Sequence, residues 1–331
     1  MSRPKVPDRS PHPVEPHHYL SGCVLSALAG AVLAVQSRIN GDFGHRVHDG
    51  VAVSFISFGS SLVFSALIMI GVAIRRRARA IVREVRTHRL PAWYYLGGIA
   101  GAYTILSQGE AVAALGVAVF TIAAVAGQSV SSLLVDRLGI GPAGRRSITG
   151  VRLVGAALAI VAVIASVSGE LHGLRSIGLI VLPALAGIGT PFHQALNGRV
   201  RVASGSTMSA TTINFLVGTV VLLPVFGIDI ALRGLPSGSP TPWPAYLGGP
   251  LGVAFVAITI TVVRYIGVLL LALATIVGQL VVAVILDEFA PEEGAHPGPG
   301  TFIGVALTIV SVVVVIAFRR RQPEPPAGAS G

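Results

Sequence analysis

The sequence predicts an all-α integral membrane protein with ten transmembrane helices, arranged as two inverted five-helix repeats. Three observations predict it. The 331 residues are 53% hydrophobic and only 11% charged, with a mean hydropathy of +0.77, whereas a soluble domain typically carries about 25% charged residues. The apolar residues gather into blocks of about 17 to 24, enough helix to cross a hydrocarbon core of roughly 30 Å. Finally, the sequence is written twice. Ala27-Leu28-Ala29-Gly30, Gln36 and Asn40-Gly41 recur as Ala184-Leu185-Ala186-Gly187, His193 and Asn197-Gly198 at a constant offset of 157. Tyr95-Leu96-Gly97-Gly98, Gly101, Gly116-Val117, Gly127-Gln128 and Asp136 return at an offset of 151, and Gly155 with Ala157-Leu158 at 149. Five spans per copy is an odd number, so the second copy must cross the membrane in the opposite sense to the first.

The spans follow in order. The first repeat, 20–168, is expected to hold 20–38, 51–74, 92–109, 113–135 and 148–168. The second, 177–318, is expected to hold 177–196, 208–231, 245–262, 266–286 and 301–318. The first block has the basic start and apolar run of a signal peptide, but its partner at 177–196 argues that it is a retained helix. It also holds the single cysteine, Cys23, so neither a disulfide framework nor a cysteine-rich metal site can form within one chain. Residues 1–19 and 319–331, rich in proline, polar or small residues, are expected to be disordered cytoplasmic tails.

The net charge of +10 does not point to nucleic acid, because the arginines sit in short loops between spans rather than on a domain able to grip a phosphate backbone. With the N-terminus in the cytoplasm, 20 of the 24 Lys and Arg lie inside, and Arg38, Arg46, Arg175 and Arg233 lie outside. That division follows the positive-inside rule and places both termini in the cytoplasm.

Polar residues within the spans are the candidate site. An amide in hydrocarbon costs several kcal/mol unless it finds a partner or water, so such residues face the bundle interior. Gln36 and Asn40 share a face of the first helix, and their repeat equivalents His193 and Asn197 share a face of the sixth, with Gln194 alongside. Gln128 and Gln279, each after a glycine, fall at mid-depth. Asn214 lies on the seventh helix beside Thr211 and Gly218, where the second has Ser57, Ser54 and Ser61. Gln36, Gln128, His193, Gln194, Asn214 and Gln279 are therefore the substrate-binding candidates, with helix clasping as the competing reading. The deep spans are expected to carry no acid. Glu110 falls in an outer turn, and Asp136 and Asp287 end their helices as loop or interfacial charges. Glu110 and His193 are the candidates for ion coupling, and no metal ligand set or cofactor site is expected.

Ala34-Val-Gln-Ser-Arg-Ile-Asn-Gly41, Ile213-Asn-Phe-Leu-Val-Gly-Thr219, Tyr95-Leu-Gly-Gly98 and Ala126-Gly-Gln128 running to Leu134-Val-Asp136 resemble the YdcZ-type branch of the drug/metabolite transporter superfamily, in its fused two-repeat form. The resemblance covers nearly all of both halves. It implies a bacterial inner-membrane transporter, often described as an exporter, with lipid and a small-molecule substrate as partners; a homodimer stays open. The chain departs from the superfamily's small multidrug members in lacking a glutamate within the first helix.

The reading that follows is a non-enzymatic secondary transporter of a small polar or amphiphilic metabolite. A membrane enzyme would need clustered acids, histidines or cysteines in the spans. A membrane scaffold or partner subunit, and a lipid-head-group flippase of the same fold, are the alternatives.

Overall fold

In a computed structural model the chain is described at residues 16–75, 90–141, 149–167, 174–236, 238, 242–290 and 297–319. Its helices are α1 (Pro16–Val47), α2 (Gly50–Arg75), α3 (Gly97–Leu138), α4 (Gly150–Val167), α5 (Leu174–Ser204), α6 (Thr207–Arg233), α7 (Gly248–Phe289) and α8 (Pro299–Arg319), with short 3-10 turns at Ala92–Leu96 and Trp243–Leu247 leading into α3 and α7. No strand occurs among the described residues. The expected tails fall outside the described residues, apart from the ends of α1 and α8.

The distribution of side chains is inside-out relative to a soluble protein. Leu67, Ile164, Val220 and Ile228 stand exposed in mid-helix, while Ser26, Gln36, Asn40, Ser54, Gln108 and Asn214 are buried. Apolar exposure on this scale is what lipid demands, and backbone polar groups in hydrocarbon must be satisfied within helices. Among the described residues, seven stretches are long and apolar enough to cross a membrane, and Leu153–Ser166 and Pro299–Val314 are shorter apolar helices.

Two of the helical stretches are too long for one crossing. α3 and α7 each have 42 residues, about 63 Å of straight helix against a hydrocarbon core of roughly 30 Å. α3 is interrupted at Gly116, whose φ of 75° and ψ of 162° belong to a region that only glycine enters freely. The break comes at Gly116 rather than at the expected 110–112, so Glu110 lies within helix. α7 must also reverse. Gly248 lies against Asn40 and Gly252 against Gln36, while Thr275 and Gly278 lie against Gly30 and Ala27. Gly248 and Gly278 would stand about 45 Å apart on one straight helix, yet their partners on α1 are only about 20 Å apart. A reversal therefore falls between Gly252 and Thr275.

The close crossings recur at repeat positions. Gly30 packs on the carbonyl of Thr275 and Gly187 on that of Ala124; Gly278 packs on Ala27 and Gly127 on Ala184. Each pair maps onto the other through the offsets 157 and 151. A β-carbon at any of these glycines would collide with backbone that cannot move aside, so helix separation is set here by the missing side chain. α1 accordingly packs most extensively on α7, α5 on α3, and α4 on α8, each an element of one repeat against an element of the other.

Candidate functional site

Two polar networks form at repeat-equivalent places. The first joins α1, α2, α3 and α7. Asn40 donates from Nδ2 to Gln108 Oε1 at 2.7 Å, and its Oδ1 accepts from the Ser57 hydroxyl at 2.8 Å. Gln108 donates to Ser37 Oγ at 2.9 Å, and Gln36 Nε2 to the carbonyl of Gly248 at 2.8 Å. Ser61 donates to the carbonyl of Gly249 at 3.0 Å, and Ser54 to that of Ala102 at 2.9 Å. Gln36, Ser37, Asn40, Ser57, Ser61 and Gln108 are all buried. These bonds tie the helices together with few polar atoms to spare.

The second network joins α5 and α6 beside α3. Asn214 Oδ1 accepts from Asn197 Nδ2 at 3.0 Å and meets His193 Nε2 at 2.9 Å. An amide oxygen only accepts, so Nε2 carries the imidazole proton in this arrangement, and Nδ1 is left as an acceptor. Asn214 is buried, whereas His193 is half-buried. A β-carbon placed on Gly101 would stand 3.3 Å from His193 Nε2 and 3.1 Å from Phe58 Cζ. Phe58 of α2 thus lies against this network, also packing on Gly218 and edge-to-face on Phe215, with centroids 5.2 Å apart.

The remaining candidates are dispersed. Gln279 Nε2 reaches the Thr121 hydroxyl at 3.4 Å, a long bond between α7 and the second half of α3. Gln128 and Gln194 are half-buried and make no side-chain hydrogen bond among the described residues. Glu110 is exposed and accepts from the amide of Gly50 at 2.9 Å, holding the start of α2.

Two expectations about acids are corrected. Asp287 is not an exposed terminal charge: it is 5% exposed and accepts from the amides of Val117 and Ala118 at 2.9 and 2.7 Å. Those amides begin the helix after the Gly116 break and lack an intrahelical acceptor, so a carboxylate there meets both the free donors and the positive end of the helix dipole. The side chain of its repeat partner Asp136 lies outside the described set. Nor are the spans free of acid, because Asp229 in α6 is buried, 3.4 Å from Arg233 Nε. Its position inside an apolar block was the signal available in the sequence. Gln108, inside another such block, was equally visible, but nothing in the linear pattern paired it with Asn40.

The fold and its inward-facing polar networks define a multi-pass helical membrane protein. A family model described as "Putative inner membrane exporter, YdcZ" matches residues 22–165 and again 178–314, and the chain belongs to that family. A solved chain described as "Crystal structure of protein" superposes with a TM-score of 0.57 at 18% identity, over 92% of this chain and 98% of the other. That likeness concerns the fold alone. No curated relative matches the sequence.

Proposed function

We propose that the chain is a secondary transporter that exports a small polar or amphiphilic metabolite across the inner membrane. It works by alternating access between two inverted five-helix halves, ten spans in all, with both termini cytoplasmic. The observation that carries this reading is the pair of polar networks at repeat-equivalent places, one closed and one whose imidazole lies near Phe58 and keeps a nitrogen without a partner among the described residues. The membership in a family of exporters supports it, as do the glycine crossings that recur through the repeat offsets.

In this reading the solute passes along the α2–α6 seam. His193 Nδ1 and the Gln194 amide supply directional hydrogen bonds near that seam and the Gln128 amide supplies them farther along the path, while Gln36, Asn214 and Gln279 hold the helices that present them. Among the described residues these side chains carry no fixed charge, which suits neutral or zwitterionic solutes better than simple cations. Ion coupling would fall to His193 or Glu110.

The test is a ligand screen by thermal stabilisation of the purified protein, followed by flux in proteoliposomes for the ligands that stabilise it. Gln128→Leu and His193→Leu should fold and lose flux. Normal flux in both would refute the site and favour a scaffold. Reporter fusions after Arg321 active only on the external side would overturn the topology.

A further inference from the structure

Besides the Asp287 cap, two buried carboxyl groups among the described residues have no part in the transport path just described. Asp49 begins α2: its Oδ1 accepts from the amide of Ala52 at 2.9 Å, as an N-capping aspartate does. Asp229 comes to it from the last turns of α6, where Phe226 stacks on Phe55 of α2 with ring centroids 4.9 Å apart, and the two carboxyls interact. Asp49 is 7% exposed and Asp229 8%. Asp229 Oδ1 meets Arg233, but Oδ2 is buried with no hydrogen-bond donor.

An acid at this place destabilises the helix that bears it. The last turns of α6 already present a partial negative charge from their free carbonyls, and a second carboxylate lies opposite. Two such groups side by side cannot both ionise without large cost, and they bond to each other only by sharing a proton. The orphaned oxygen therefore points to a missing proton donor. Among the described residues no further acid, His or Cys joins the pair to make a metal-binding group.

The repeat shows that the feature is peculiar to one end of the bundle. The equivalent of Asp49 is Ser206, which caps α6 by accepting from the amide of Ser209 at 3.2 Å, the same bond made by a neutral group. The equivalents of Asp229 and Glu110 are Val72 and Thr261. Capping needs no charge, then, and the acids at the end where α1 meets α2 serve something else. Other charged or titratable groups described at this end include Arg233 on α6, Glu110 on α3, the Arg38–Asp42 pair of α1, and His45, Arg46 and His48 around the α1–α2 turn.

We infer that Asp49 and Asp229 form a proton-binding pair that fastens the end of α6 to the start of α2 when it holds a proton and lets them part when the proton leaves. The proton comes from the aqueous phase at that end, the outer one by the arginine distribution. With it the pair carries a single negative charge opposite Arg233; without it two like charges face each other. Proton occupancy would thereby bias which end of the transport path is open. The inference depends on no particular solute, so it can fail or stand independently of the substrate site.

The test uses full-length protein in lipid vesicles. Asp49→Asn and Asp229→Asn each preserve shape, the first keeps the cap, and either amide supplies the missing donor. On acidification from pH 8 to 5, wild type should take up about one proton per chain more than either variant, and the double variant should lose no more than a single one. Spin labels at His45→Cys and Leu232→Cys, in a Cys23→Ser background, should report a shorter distance at low pH, and Asp229→Asn should hold that short distance throughout. Equal proton uptake by wild type and both variants overturns the proposal. Displacement of the extra proton by sodium, but not by choline at equal ionic strength, overturns it in favour of a cation site.

Discussion

The two polar networks occupy equivalent positions in the two repeats, and they differ in how completely they are closed. In the first, Asn40 uses both ends of its amide, Gln108 adds a third partner, and every member is buried. In the second, position 108 is replaced by Thr259, whose hydroxyl turns back to its own helix at Phe255, and Ser61 is replaced by Gly218, whose empty side is filled by the Phe58 ring. The second network thus lacks two polar groups and holds a half-buried histidine where the first has a buried glutamine. A shared backbone plan has been used once to clasp helices and once to leave hydrogen-bonding capacity beside an aromatic surface.

The difference predicts opposite outcomes for matched substitutions. The largest effect is expected for Asn40→Leu, which strands Gln108 and Ser57 in a buried site. At roughly 1–3 kcal/mol for each unsatisfied group, the protein should lose about 2–4 kcal/mol of stability. Denaturant unfolding in detergent measures this, and an unchanged midpoint would mean that the first network is not a clasp.

Next comes the Gly116 break, which positions both halves of α3. Gly116→Ala forces a β-carbon into a glycine-only conformation and to 3.0 Å from Asp287 Oδ2, so a loss of about 1–3 kcal/mol is expected. Asp287→Ala should cost a similar amount by freeing two helix-start amides, roughly 1–3 kcal/mol. If the two losses simply add in the double variant, the glycine and the aspartate do not act as one unit.

His193→Gln brings the second network closer to the first. It should change stability by less than about 1 kcal/mol, because a glutamine amide can still donate to Asn214. Flux should respond more strongly than stability. A lost response to a pH gradient would assign the coupling proton to the imidazole, whereas a shifted affinity with the pH response retained would make His193 a solute contact. The smallest structural effect is expected for Gln128→Leu. Its amide has no partner to lose among the described residues, so a stability change beyond about 0.5 kcal/mol would show that it clasps helices after all.

Much of the fold was legible because its causes are local or repeat in register. An apolar block of sufficient length must be helical in lipid, whatever surrounds it. Offsets that hold without gaps bring equivalent side chains to equivalent places, as Gly30 with Thr275 and Gly187 with Ala124 illustrate. Gln36, Asn40, His193, Asn197 and Asn214 were visible for the same reason: an amide or imidazole in an apolar run stands out against its surroundings.

Pairing was not legible. Asp287 read alone is a charge at the end of a span, and it becomes a buried cap only because α7 carries it to the interruption in α3, 170 positions away. Asp49 and Asp229 come together because the chain end of α6 is delivered to the α1–α2 turn, a matter of topology rather than of neighbouring residues. The sequence by itself determined that the chain is a repeated set of membrane helices with polar residues facing inward, since hydrocarbon enforces both at every position. Only the tertiary structure decided which polar groups are closed by a partner and which are left open, because hydrogen bonds between helices depend on contacts across the bundle that no local pattern encodes.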